Sequence, residues 1–518
     1  MDCFDAIVVG SGPGATFAAK GLQGKRILML DVGFEAPPPS LQGNVYELRR
    51  ENGDLFPGLI GEDFQSLRNL HQRPISLKLK APGVSYVVKG WPELTPIVSQ
   101  TFEGVLSLSK GGLANGWGAG VYRFTDQDLR GFPICAEDLR PFYDEITTQI
   151  GVSGANDDLT PYFGHDRDLL PPMRMSGFFE ELYAGYGRAR SVFAKQRVFV
   201  GRPRLAVRSE SYQYRNLEFF ESRDPAIYTP SYTVDELRSN GAIEYLDGRL
   251  VLRYQEQSDR VLVFARNLRD DKEEVYCARK LCLGAGAINT ARIVLASERD
   301  FASRLPLLDN PMVCIPFFSA RRIGAALPIH DSSLGQLNLV AEDAENNETL
   351  QATLYGTTGP LRSDILFTLP LCFQANLALV KYAAPAMGLM MLFYPGPERG
   401  DSYLRLREQG ELEIECAGTS SNPPIERRLI RLLRRLGYWT HPALIQRQGR
   451  GQGLHFAATL PMRAQPRRYQ TDQQGLLFGT ERIHIVDGAS MSRLPAKNLT
   501  FTIMANALRI GRQLARDL

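Results

Sequence analysis

The chain has 518 residues, 44% of them hydrophobic and 23% charged, an ordinary composition for a globular protein long enough for two or three domains. Its formal net charge of +3 is close to neutral at this size, which removes the basic footprint of a nucleic-acid binder. Seven scattered cysteines form no C-x-x-C pair and no metal-ligand spacing, and no apolar run reaches the roughly 18 unbroken residues of a membrane span. An odd, unpaired cysteine set suits a reducing compartment, so a cytoplasmic location is expected, with most cysteines acting as small buried hydrophobes. Asp2 and Asp5, with only a short apolar run behind them, do not resemble a secretory leader.

The chain opens on a strand, Ala6 to Val9, apolar without alternation and therefore expected to be covered on both faces. It runs straight into Gly10-Ser11-Gly12-Pro13-Gly14-Ala15, a G-x-G-x-x-A turn. Gly10 permits the tight turn, Gly12 lets a pyrophosphate approach the backbone, and Ala15 is small enough for helix and strand to pack closely. Ala15, Ala18, Ala19 and Leu22 fall at helical spacing before Gly24. Ile27 to Leu30 forms a second buried strand closing on Asp31, about twenty residues after Gly10, where an acid hydrogen-bonds a ribose diol. Strand, turn, helix, strand and acid in this order predict dinucleotide binding, without choosing between NAD and FAD.

Ser109 to Gly120 is the most glycine-dense window, with Gly111, Gly112, Gly116, Gly118 and Gly120 around Asn115 and Trp117. So many glycines allow backbone to lie flat against a planar ring or a phosphate. Phe132-Pro133-Ile134 and the following Glu137 to Tyr143 read as a turn and a helix start leading into another domain. Leu250-Val251-Leu252 and Val261 to Phe264 read as strands, with Val251 a candidate backbone contact to an adenine. Leu281 to Arg292 is a second strand–glycine–helix passage through Gly284 and Gly286. The apolar stretch Leu366 to Tyr394, interrupted by Gln374, Asn376, Lys381 and Pro385, reads as buried sheet strands. Arg427, Arg428, Arg431, Arg434 and Arg435, spaced among leucines, read as a solvated helix face, with an anionic-substrate contact as the alternative.

The tail carries the chemistry. His455 sits among apolar and small residues in Leu454 to Thr459, a setting that suits a core histidine unless it has company. Arg482 to Val486 reads as a strand ending at Asp487-Gly488, and Ile503, Ala507, Ile510 and Leu514 repeat at helical spacing. Asn498 stands where that helix's N-cap belongs, with Thr500 as the alternative, and the helix start supplies partial positive charge and free N–H groups.

On these passages the chain resembles the glucose–methanol–choline (GMC) oxidoreductases. The likeness rests on the N-terminal fingerprint, Gly111-Gly112, Leu283 to Ile288, Leu454-His455 and, most specifically, Val486-Asp487-Gly488 through Asn498-Leu499-Thr500 to Ala507. Phe132-Pro133-Ile134 with Asp138 to Tyr143 is similar to the sugar-oxidising, pyranose oxidase-like branch. The resemblance implies an α/β fold, a Rossmann-like FAD-binding domain with a second α+β substrate domain built on an antiparallel sheet. The expected division is 1–130, 195–310 and 450–518 for FAD, and 131–194 and 311–449 for substrate. It also implies His455 as the base that takes a hydroxyl proton while hydride passes to flavin N5, and Asn498 as the amide that holds the same oxygen. Asp487, Gly488 and the residues following them would lie near the ribityl and pyrophosphate, and Asn115 and Gly116 near the ring, with Gly112, Trp117, Leu499 and Thr500 as further cofactor contacts.

Three departures qualify the likeness. Asn115 and Gly116 stand where the pyranose oxidase-like branch carries a threonine and a flavin-bearing histidine, so non-covalent FAD is expected. Asp31 replaces the family's glutamate, and Ala457-Ala458-Thr459-Leu460 replaces its G-G-T-C-like stretch. The favoured reading is an FAD-dependent alcohol oxidase or dehydrogenase acting on a sugar, polyol or secondary-metabolite hydroxyl, with oxygen, a quinone or a protein left open as acceptor. The alternatives are an FAD monooxygenase or NAD(P)H-dependent reductase, for which no second nicotinamide fingerprint is visible, and a non-catalytic flavoprotein.

Overall fold

The computed structural model describes residues 3–39, 43–48, 50–51, 55–61, 66, 77–221, 224–326, 330–357, 371–397, 401–418 and 422–518. The chain begins with β1 (Phe4–Val9), turns into α1 (Pro13–Gly21) and returns as β2 (Ile27–Leu30). Two helices, α2 (Ala136–Ile150) and α3 (Gly177–Lys195), precede β3 (Val198–Gly201). There follow β4 (Glu244–Leu246), β5 (Arg249–Glu256), β6 (Val261–Asn267), β7 (Glu273–Leu283) and α4 (Ala287–Glu298). Next come β8 (Met312–Phe318), β9 (Leu337–Asp343), β10 (Glu348–Gly356), α5 (Phe373–Ala383), β11 (Met387–Phe393), α6 (Pro423–Arg435) and β12 (Gln446–Gln448). The tail supplies β13 (Ile483–Ile485) and α7 (Thr500–Asp517).

One sheet runs β4-β2-β1-β7-β6-β5, with β13 beside the end of β7. Its β4, β2, β1, β7 and β13 are parallel, and β5 and β6 add an antiparallel edge. Ala6 and Val8 enter the core shared with α1 and α7, while Ile7 and Val9 enter the core shared with α4. Covering on both faces is the reason β1 is apolar without alternation. A second sheet, β12-β8-β11-β10-β9-β3, is antiparallel throughout. One face packs on α3 and α6 through Val313, Ile315 and Phe317 of β8 and Leu350, Ala352 and Leu354 of β10. The alternate residues of the same strands, pointing the other way, line a cavity between the two sheets.

Several expectations change here. α2 forms where a helix start was read, but it packs on α7, with Tyr143 and Phe501 rings 4.9 Å apart, inside the core of the first sheet. β3, read into the FAD portion, instead pairs with β9 of the second sheet. Local patterning does not say which sheet an element joins. Cys3 and Cys277 form a disulfide, their Cα atoms 4.7 Å apart, against the expectation of unpaired cysteines. The parallel pairing of Phe4 with Ala278 brings them together across 274 residues of sequence, a distance no spacing motif reports. The stretch read as buried strands yields β11 but also the exposed helix α5, and its residues 366–370 lie outside the described residues. On α6, Leu429, Leu432 and Leu433 are buried while Arg427, Arg431, Arg434 and Arg435 are exposed, a solvated face. No described helix is long and apolar enough to cross a membrane.

Candidate active site in the cavity between the sheets

Three glycine turns cross at one place. Gly10 has φ +86°, and a Cβ there would lie 2.6 Å from the Gly284 carbonyl oxygen. A Cβ on Gly14 would lie 2.1 Å from the carbonyl oxygen of Val486, and one on Gly284 would lie 2.8 Å from the Cβ of Ala15. Gly112, at φ +66°, passes 3.2 Å from the Cα of Gly12 by the same measure. First turn, second turn and tail therefore touch backbone to backbone, which only glycine permits. Gly12 differs from its neighbours: a Cβ there would meet only the Gly284 oxygen at 4.0 Å, so it faces open cavity. Further along, a Cβ on Gly21 would lie 2.7 Å from the Leu508 oxygen and one on Gly511 2.3 Å from the Ala18 oxygen. These glycines let α1 and α7 pack closely, and both helices begin at the cavity.

The cavity has a volume of about 1790 Å³. A pocket for one drug-sized molecule holds roughly 300–1,000 Å³, so there is room for a long cofactor and a substrate together. Gly10, Gly12, Pro13, Gly14, Asp31, Val251 and Gly284 line one part of it, with Val251 at a bulge in β5. Gly112, Gly116, Trp117, Asp487, Gly488, Asn498, Leu499, Thr500 and His455 line the rest. Two residues expected at the cofactor do not line the cavity. Ala15 is fully buried against Gly284, the close packing its size suggested. Asn115 is buried, and its amide donates to Ser109 Oγ at 3.1 Å and to the Lys110 carbonyl at 2.7 Å. It organises the glycine-dense loop from inside.

Asp31 and Asp487 both carry the marks of enclosed carboxylates. Asp31 accepts from Ser11 Oγ and from the Tyr245 hydroxyl, the latter at 3.0 Å, and burial pushes its carboxyl up to about 7. Ser11 Oγ also accepts from the Gly111 N–H at 2.9 Å, tying the fingerprint, the acid and the glycine-dense loop into one unit. Asp487 accepts from the N–H groups of Gly286 and Ala489 at 2.8 Å each and from Thr290 Oγ1 at 2.5 Å. Those bonds join the second glycine turn to the tail while burial raises its carboxyl to about 6. Neither Ser11 nor Tyr245 was singled out in the sequence, since a serine inside a glycine motif and a tyrosine in a short strand carry no signal of their own.

His455 is placed by a short antiparallel pairing of Leu308–Asp309 with Phe456–Ala457, which sets Leu308 opposite Ala457 and Asp309 opposite Phe456. One step further, Asn310 Oδ1 lies 3.2 Å from His455 Nδ1. The Asn310 amide nitrogen donates to the carbonyls of Tyr394 at 2.8 Å and Pro495 at 3.0 Å. With both N–H donors committed to carbonyls, Oδ1 can only accept, so His455 Nδ1 must carry the proton. Nε2 is then left as a lone pair with no protein partner among the described residues. Burial pushes the imidazole down to about 4, keeping it neutral at pH 7. Asn498 does not cap α7: Leu499 takes the cap position without a side-chain bond, and Thr500 is the first helical residue. Its amide points instead toward the Gly120 carbonyl, 3.5 Å away, and lines the cavity, leaving the first N–H groups of α7 open.

The substrate-side wall comes from one face of the second sheet: Met312, Cys314, Thr353, Tyr355, Leu389, Met391, Phe393, Gln446 and Gln448. None of these nine side chains is charged. Charged residues line the cavity elsewhere, Lys78, Glu218 and Arg292 among them, and Lys78 donates to the Trp117 carbonyl at 3.0 Å. The opening toward Gly12, the start of α1 and the buried acid Asp31 fit a dinucleotide's pyrophosphate and ribose.

No family model matches the chain, and neither does any curated protein. Solved structures do match. Pyridoxine 4-oxidase from Mesorbium loti is 13% identical with a TM-score of 0.61, and the match covers 99% of each chain. Formate oxidase from Aspergillus oryzae RIB40, solved as R554A and R554K variants in a study of FAD modification, is 11% identical with a TM-score of 0.64. That match covers 100% of this chain and 98% of the other. The likeness is one of fold: over its whole length this chain folds as these two oxidases do, in the architecture that its resemblance to the GMC oxidoreductases implies.

Proposed function

We propose that this chain is an FAD-dependent oxidoreductase of the GMC kind that oxidises an uncharged alcohol to a carbonyl, with His455 as the base. The observation that carries the reading is the setting of His455: its Nδ1 lies 3.2 Å from Asn310 Oδ1, and the Asn310 amide nitrogen is committed to two carbonyls, which leaves the imidazole an Nε2 lone pair for the cavity. Such a nitrogen accepts a proton, and only a group with a proton to lose has a use for it. FAD, held non-covalently by the glycine crossing and Asp31, would supply the acceptor for the hydride of the substrate carbon. His455 Nε2 takes the hydroxyl proton, so that no free alkoxide accumulates. The Asn498 amide donates to the same oxygen and fixes the carbinol C–H in place. The nine uncharged side chains that the second sheet turns to the cavity support a sugar, polyol or secondary-metabolite hydroxyl.

The test is spectroscopic. The purified protein is expected to be yellow and to bleach anaerobically when a substrate alcohol is added without NADPH. Bleaching only with NADPH would replace this reading with a reductase or monooxygenase, and a colourless protein that refuses added FAD would remove the cofactor from it.

A further inference from the structure

α5 is apolar around most of its circumference, with Ala, Leu, Val and Tyr on every side and only Gln374, Asn376 and Lys381 as polar residues. A helix of that composition is ordinarily enclosed. Here only Asn376 and Val380 are buried, while Leu377, Leu379 and Tyr382 are 48%, 46% and 60% exposed. Two neighbouring segments continue the surface. Ile323 is 59% exposed next to Gly324, whose N–H donates to the Tyr382 carbonyl at 2.9 Å. Trp439 is 49% exposed and stacks on Phe318 with ring centroids 5.1 Å apart, and the two residues exchange both backbone hydrogen bonds. The Ser319 N–H donates to the Ala386 carbonyl, which closes the three segments into one face.

The three segments carry charge of a single sign. Residues 319–326, 371–386 and 434–441 contain Arg321, Arg322, Lys381, Arg434 and Arg435 and no aspartate or glutamate. Arg322 pairs with Glu181 of α3 at 2.7 Å, and the other four are exposed. Exposed leucines, a tyrosine and a tryptophan on adjoining segments whose own charges are all cationic suit a helix lying in the headgroup layer of an anionic bilayer. Lys381, on the same exposed arc as the leucines, can lay its stem along them and raise its ammonium to the headgroups.

We propose that this face docks on an anionic lipid bilayer, with α5 lying in the plane of the interface. A two-fold dimer through the same face would set one cluster of cations against its copy, which favours the lipid over a second chain. The docking is separate from the chemistry proposed above, although β8 and β11 carry both features. Cys314 lines the cavity and Phe318 reaches the docking face, roughly 13 Å further along β8 at a strand's rise.

The experiment is co-sedimentation of the full-length yellow protein with vesicles of phosphatidylcholine alone or mixed with phosphatidylglycerol, alongside its oligomeric state by light scattering without lipid. The protein is expected to pellet with the mixed vesicles only, and less as salt is raised. The triple variant Leu377→Ser, Tyr382→Ser, Trp439→Ser and the double variant Arg321→Glu, Lys381→Glu should each lower binding by roughly tenfold or more, with flavin absorbance unchanged in both and Tm unchanged in the double variant. Equal binding to both vesicle types, or none to either, overturns the proposal. A lipid-free dimer that the triple variant dissociates, with no vesicle binding by the wild type, would assign the face to a second copy instead.

Discussion

The glycine crossing and the cavity face of the second sheet do adjoining jobs with opposite tolerances. At the crossing, Gly10, Gly14 and Gly284 each meet another backbone at a distance no Cβ can occupy. On the sheet face, Thr353, Tyr355, Leu389 and Met391 need only be uncharged and of about the right size, since they point into open space. Backbone contacts admit one residue type and so leave a motif. A pleated face admits many and leaves none.

The sharpest test of that contrast lies inside the first motif. Gly14→Ala drives a methyl into the Val486 carbonyl and should destabilise the fold by about 3 kcal/mol or more, read as a large fall in Tm or loss of soluble protein. His455→Ala should leave the fold and the yellow colour intact and slow anaerobic reduction by alcohol by roughly a hundredfold or more. If flavin is lost instead, the imidazole serves structure and the base must be sought elsewhere. Gly12→Ala, two residues from Gly14, should keep Tm nearly unchanged and weaken FAD binding by roughly tenfold, because its methyl enters the cavity and not a neighbour. Equal effects of the two glycine variants on Tm would erase the distinction.

The smallest effect concerns Asn310. Since the proton acceptor must be neutral and burial holds His455 down to about 4, kcat/KM should stay level from mildly acidic to neutral pH and fall only as pH drops through about 4. Asn310→Asp places a carboxylate on Nδ1–H, which favours the imidazolium and raises the histidine's pKa, so the acid limb should move to higher pH. A merely structural asparagine would change the rate and leave the limb where it was.

Much of the first sheet was legible because its rules are local. An unbroken apolar strand, a glycine turn and an acid at fixed spacing each have a steric or electrostatic reason that operates within thirty residues. Asn115 and Asp487 were also picked out, yet their hydrogen bonds serve the loops around them as much as any ligand, because an amide or carboxylate looks the same in sequence in either role. α5 was misread as strand because an apolar run without clear period does not separate a buried strand from a helix.

By itself the sequence determined where backbone must touch backbone: the glycines of the two turns, the tail strand beyond them, and the small residues between α1 and α7. Those demands fall on single positions, so they are written as residue types. Only the tertiary structure decided which partners meet across the chain: Asn310 against His455 from 145 residues away, Tyr245 against Asp31 from 214. Pairing of that kind depends on strand order and register, which distribute their energy over whole sheets and leave no mark on the residue that receives the contact.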